Sequence, residues 1–152
     1  MKRTPNQIRE NSENLEAFAW TYSQKSGLLS QDDREVAHGY SGAAEGKNNP
    51  NMQDVHNVGP IPEGDWTITG PPLDTKPHGP YVLKLNPNPE TETFGRSGFL
   101  MHGDSKERPG TASQGCIVVP RTVREKVWTS GDRDLKVVAD DDARNANPGK
   151  GR

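Results

Sequence analysis

Short apolar runs, several with alternating character, recur along the chain, and each is cut off by residues of the Gly, Pro, Asn and Asp type. That pattern predicts many short strands. "EAFAWTYSQ" (16–24) reads as a first strand, "KSGLLS" as the turn after it, and "REVAHGYSG" as the returning arm of a hairpin. Residues 41–57 read as a structured loop in which "PNMQDVHN" can form one or two helical turns after Pro50. "DWTIT" and "PYVLKLN" (80–86) follow as strands separated by a loop, "PPLDTKPHG". "SGFLMHG" (97–103) suits a buried strand that ends on His102, "SQGCIVVP" a tight turn into a short apolar strand, and "DLKVVAD" a last strand. Only "RTVREKVWTS" departs from this rhythm: Val123, Val127 and Trp128 recur at close to helical spacing, which predicts one amphipathic helix of two to three turns. The expected class is mainly β, a β-rich α+β domain.

Composition narrows the size of the core. A chain of 152 residues fits one domain, and 29% apolar residues with 16 Gly and 13 Pro leave room for only a small interior among many loops. Three tryptophans argue that much of it folds. The expected organisation is a polar tail at 1–14, a single domain at 15–139 and a polar tail at 140–152. A formal charge of -2, with basic residues scattered among acids, gives no pull toward nucleic acid or an anionic bilayer. No run approaches the roughly 18 apolar residues that span a membrane, so no membrane insertion is expected. "MKRTPNQIRENSEN" lacks the apolar centre of a secretory signal, so synthesis in the cytoplasm without a signal peptide is expected.

Charge and composition leave the chemistry to a few residues. The one cysteine cannot close an intramolecular disulfide or supply the paired thiolates of most structural zinc sites. His38, His56 and His78 are scattered, without the close spacing of a helical metal motif, so neither a metal nor a cofactor is expected. Cys116 is left to packing or to nucleophilic chemistry. A free thiol titrates at about 8.5 and needs a base or a favourable field to act near neutral pH. His102 lies fourteen positions upstream, and the glycines between them let the loop fold back. Gly115 permits a sharp turn and close approach of a substrate carbonyl, and the amides of Gly115 and Cys116 could form an oxyanion hole. Ser113 could orient the imidazole, with Asp104 as the competing candidate. By residue type alone, a cysteine beside "IVV" is more often a small buried hydrophobe than a nucleophile.

Resemblance decides between those readings. "HGDSKERPGTASQGCI" resembles the His-Gly and Ser-x-Gly-Cys signature of L,D-transpeptidase catalytic domains, and more closely that of the L,D-carboxypeptidase/L,D-transpeptidase toxins exported by type VI secretion systems. "WTYSQKSGLL", "GYSGAAEGKNNP" and "NVGPIPEGDWTI" are similar to segments that precede the motif in those effectors, so the likeness covers roughly residues 18 to 138. It implies a transpeptidase-like β-sandwich or barrel with one short helix after the cysteine, Cys116 as nucleophile, His102 as base and Ser113 beside it. Two departures stand out: Gln114 replaces a second histidine usual in the wider family, and the interval from His102 to Ser113 is shorter.

The implied substrate is a peptidoglycan stem tetrapeptide, and the implied activity is removal of its terminal D-alanine with exchange for another D-amino acid. Arg121 could clamp the terminal carboxylate, although a surface arginine in the first turn of a helix reads the same way. Tyr40, Ser41, Asn48 and Asn49 could line the stem-binding groove, or serve only the turns in which they lie. An effector of this kind implies a cognate immunity protein, contact with secretion-machine components, and action in the periplasm of a target bacterium. A prophage or self wall-remodelling enzyme of the same chemistry, and an inert peptidoglycan-binding module, are the competing functions.

Overall fold

The apolar runs pair into one nine-stranded sheet whose two ends are brought together by the chain itself. In the computed structural model, which describes residues 19–141, the strands are β1 (Trp20–Ser23), β2 (Leu28–Gln31), β3 (Arg34–His38), β4 (Tyr40–Ser41), β5 (Gly64–Thr75), β6 (Gly79–Pro87), β7 (Leu100–His102), β8 (Ile117–Val118) and β9 (Asp134–Val138). Their order is β3-β2-β1-β9-β5-β6-β7-β8-β4. β3 and β4 stand at opposite ends of that order, yet only Gly39 separates them in the chain. Its amide donates to the Gly27 carbonyl at 2.8 Å, and a Cβ at this glycine would lie 2.2 Å from the Val118 carbonyl oxygen. The sheet therefore curls into a nearly closed barrel, pinched where no side chain fits. The mainly β class read from the pattern holds.

Alternation sends one face inward. Trp20 and Tyr22 of β1, Trp66 and Ile68 of β5, and Leu135 and Val137 of β9 are buried, with Leu83, Leu85, Met101 and Ile117 completing the interior. The helix α1 (Arg121–Thr129) follows Pro120, buries Val127, and packs Val123 and Trp128 against this core. Its period was legible in the sequence.

Two expectations change. "KSGLLS" is not one turn: the chain reverses before Gly27, whose amide bonds the Ser23 carbonyl, and Leu28 to Gln31 form β2. A second, two-residue turn at Asp32 and Asp33, both with positive φ, then joins Gln31 to its ladder partner Arg34. "PPLDTKPHG" is not a loop either. β5 runs on to Thr75, the Gly-Pro-Pro segment being absorbed where the register shifts between Thr69 and Leu73, so the prolines sit at an irregularity of the ladder. The result is a long β5–β6 hairpin whose tip is 76–78.

The loop before β5 contains 3₁₀ turns at Ala44–Gly46 and Pro50–Met52, in keeping with helical turns after Pro50. The tail expected at 1–14, the first residues of the strand expected at 16–24, and all but two residues of the tail expected at 140–152 lie outside the described residues.

Candidate active site

His102 ends β7 and Cys116 immediately precedes β8. The two strands are parallel, with Met101 opposite Ile117 and His102 opposite Val118. Met101 and Ile117 both point into the core, so pleating turns His102 to the other face, and the turn before β8 carries Cys116. Both line a cleft of about 1070 Å³. The core residues thus fix which side chains reach it.

The imidazole of His102 is 1% exposed. Its Nδ1 lies 2.8 Å from the Gly103 carbonyl oxygen, which can only accept, so Nδ1 carries the proton and Nε2 presents a lone pair. Among the described residues Nε2 has no hydrogen-bond partner. Burial holds His102 below the ordinary imidazole range, aided by His78 and Arg124 and opposed by the Gly103 hydrogen bond and Asp104. The ring is kept as a neutral acceptor.

Cys116 is half-buried, and its thiol meets the Gly98 carbonyl at 3.9 Å. Burial pushes the thiol up to about 11, against the pull of the Leu100 backbone and of Arg96. At neutral pH the resting group is therefore a thiol, and a base must take its proton during attack.

Ser113 holds the turn that presents this cysteine. Its hydroxyl donates to the Cys116 carbonyl at 2.6 Å and accepts from the amides of Gly42 at 2.9 Å and Gly115 at 3.0 Å. Those bonds leave it facing the turn, and the imidazole is held by Gly103 instead. The Gly115 amide is likewise directed at Ser113, which leaves Cys116 as the other amide of the pair considered for an oxyanion hole. Ser41, fully buried, braces the turn from beneath by donating to the Gly115 carbonyl at 3.1 Å and accepting from the Ile61 amide at 2.8 Å.

Arg96 was invisible to sequence reasoning. It is 7% exposed, and its guanidinium donates to the carbonyls of Gln53, Gly59, Pro60 and Gln114 while lying over the Phe99 ring. Gly115, at φ +140°, fits against it: a Cβ there would lie 2.5 Å from an Arg96 nitrogen. The glycine before the cysteine is thus required by a buried cation as well as by the turn. A buried arginine with no local sequence pattern around it gives no signal in one dimension.

The remaining predicted residues divide between the cleft and its supports. Gln114 and Arg121 line the cleft, and Arg121 pairs with Glu125 at 2.9 Å. Tyr40, Ser41, Asn48, Asn49 and Ser113 are not among its lining residues. Turn bonds use their polar groups: Asn48 accepts from the Ser41 amide at 3.2 Å, and Asn49 accepts from the Asn51 amide at 3.1 Å at the start of a 3₁₀ turn. Tyr40 donates to Asp104 at 2.6 Å and accepts from the Ala112 amide at 2.8 Å, with Lys47 over its ring. Its phenol is pushed up to about 12, chiefly by burial and then by Asp104. Partial burial alone would raise the Asp104 carboxyl, but bonds from Tyr40, Gly110 and Ser105 hold it below the usual carboxylate range. Asp104 therefore ties down the loop 104–112. Among the described residues no three His, Cys, Asp or Glu side chains gather as a metal site would need.

A barrel-like, mostly β domain with one described α-helix, carrying its only cysteine and a buried histidine in one cleft, is the class that fold and site define. The chain belongs to the Tlde1 domain family, which matches residues 35–139 and is by its name a family of type VI secretion L,D-transpeptidase effectors. It is similar to the solved structure of Bdellovibrio bacteriovorus Bd1075, with TM-score 0.51 and 17% identity over 82% of this chain and 50% of that one. That likeness is one of fold, and this chain spans half the length of that protein. No curated protein matches it.

Proposed function

We propose that this domain is a cysteine acyl-transfer enzyme that removes the terminal D-alanine of peptidoglycan stem tetrapeptides and can exchange it for another D-amino acid. The observation that carries this reading is the Cys116–His102 arrangement: His102 ending β7 and Cys116 just before the parallel β8, both lining one cleft, the imidazole with its Nδ1 proton fixed on Gly103 and its Nε2 unpartnered among the described residues. Membership of the Tlde1 family supplies the substrate class. The cleft also carries Arg96, Arg121, Arg124 and Lys106 against Asp104, a balance that suits a substrate bearing carboxylates.

In this mechanism Nε2 of His102 takes the thiol proton as Sγ attacks the carbonyl carbon of the third stem residue. The Cys116 amide supports the oxyanion. Collapse breaks the C–N bond, His102 returns the proton to the departing D-alanine amine, and a thioester remains. Water, deprotonated by His102, then releases the tripeptide; a D-amino acid amine in its place gives the exchanged stem. Arg121 clamps the D-alanine carboxylate after exchanging its Glu125 partner. Loss of the donor tetrapeptide starves cross-linking, which accounts for an effector acting in the periplasm of a target cell and for a cognate immunity protein in its producer.

The test is product mass after incubating wild type and Cys116→Ala with a defined stem tetrapeptide. The reading expects tripeptide, plus exchanged tetrapeptide when a D-amino acid is supplied, and neither from the variant. Wild-type protein that leaves the tetrapeptide intact contradicts it.

A further inference from the structure

The long β5–β6 hairpin ends directly over the catalytic cleft. Thr75 pairs with Gly79 across the tip, and the Thr75 hydroxyl accepts from the His78 amide at 3.0 Å, which fixes the turn that carries this second imidazole. Immediately beyond it, Arg124 of α1 staples the start of β6 in place: its guanidinium donates to the carbonyls of Pro80 at 3.1 Å and Tyr81 at 2.8 Å, and to that of Val119 after β8 at 2.6 Å. Arg121 lies over the Tyr81 ring at 5.2 Å, a second contact between helix and hairpin. With the tip held from both sides, the His78 ring stacks on the His102 ring, centroids 4.4 Å apart and planes 29° apart. None of the residues of the Ser-x-Gly-Cys turn makes this contact.

We propose that His78 is a positioning residue for His102: it clamps one face of the base's ring and forms part of that ring's electrostatic surroundings. The inference rests on the acyl-transfer reading given above. His102 is held along its edge by the Gly103 carbonyl and across its face by His78, so the orientation of its ring is fixed. A phenyl ring would supply the face but not the polar imidazole. The charged or titratable groups around His102 are His78 on the hairpin tip, Arg124 on α1, Asp104 in the loop after β7, and Cys116 before β8. His78 and Arg124 oppose a positive imidazole, and Asp104 favours one.

Substitution separates the two effects. NMR titration of the His102 ring protons in the substrate-free protein should show its midpoint rising in His78→Phe, since a group that opposes a positive imidazole has been removed. Plateau kcat of His78→Phe should stay within about twofold of wild type, with the acid limb of the rate moved up by the same amount. His78→Ala should show the same rise in midpoint and also lose about five- to tenfold in kcat with little change in KM, because the ring is no longer clamped. An unmoved His102 midpoint in His78→Phe overturns the proposal, and so does wild-type plateau kcat in a His78→Ala protein of wild-type melting temperature. The titration needs no substrate, so a wild type that fails to release D-alanine sinks the proposed function while the His78 result still stands or falls alone.

Discussion

The floor of the cleft and its rim are built in opposite ways. On the floor and beneath it, Ser41, Ser113, Arg96 and His102 are all buried; the first three bond backbone atoms of other segments, and His102 bonds the carbonyl of its neighbour Gly103. On the rim, Tyr40, Asp104 and Lys47 hold the loop 104–112 through half-exposed side chains, and Arg121 shares its charge with an exposed Glu125. A buried polar group that loses its partner bears the full cost of desolvation, whereas an exposed one turns to water. The floor is therefore the part whose bonds are costly to break, and the rim the part that yields more readily.

The sharpest way to break this comparison is to remove floor groups. His102→Gln should lower kcat by about 10²- to 10⁴-fold, the usual range for a general base, with little effect on KM in stem-peptide kinetics. Arg96→Met leaves four carbonyls without their donor and should destabilise the fold by about 3 kcal/mol in urea unfolding. Removing the cation also removes a force that favours the thiolate, so alkylation of Cys116 in that variant should need still higher pH. Ser113→Ala unpairs the Gly42 and Gly115 amides and should cost about 1–3 kcal/mol, with a parallel loss of kcat as the turn loosens.

How far the sequence could carry the site follows the same division. His102 and Cys116 were candidates from their places at the end and the start of short apolar strands, and only the resemblance favoured nucleophile and base over packing. The helix was legible from Val123 and Val127. Arg96, Arg124, His78 and the Gly103 carbonyl were not, because each acts across 18 or more positions or through the backbone, and no local spacing marks such reach. The second half of β5 was hidden for a different reason: Gly70, Pro71 and Pro72 carry the local signal of a break, and only pairing with β6 on both sides keeps the ladder going. Tyr40, Asn48 and Asn49 could serve a groove or a turn, and their polar groups bond within the turns and the adjoining loop.

Rim changes should be milder. Tyr40→Phe removes the bonds to Asp104 and Ala112 and should cost about 1 kcal/mol or less, raising KM more than it lowers kcat as the loop 104–112 gains freedom. The smallest expected effect is on pH. Because burial holds His102 below the ordinary imidazole value of about 6.5, its neutral form persists as pH falls, and the acid limb of kcat/KM should lie below that value.

Most directly at stake is the claim that the Cys116 sulfur carries the acyl group. Rapid mixing of the protein with a stem tetrapeptide, acid quench and intact-mass analysis should reveal an adduct of tripeptide acyl mass, mapped to the Cys116 peptide and released by hydroxylamine. Turnover of the tetrapeptide without that adduct, together with undiminished activity in Cys116→Ala, would contradict the account.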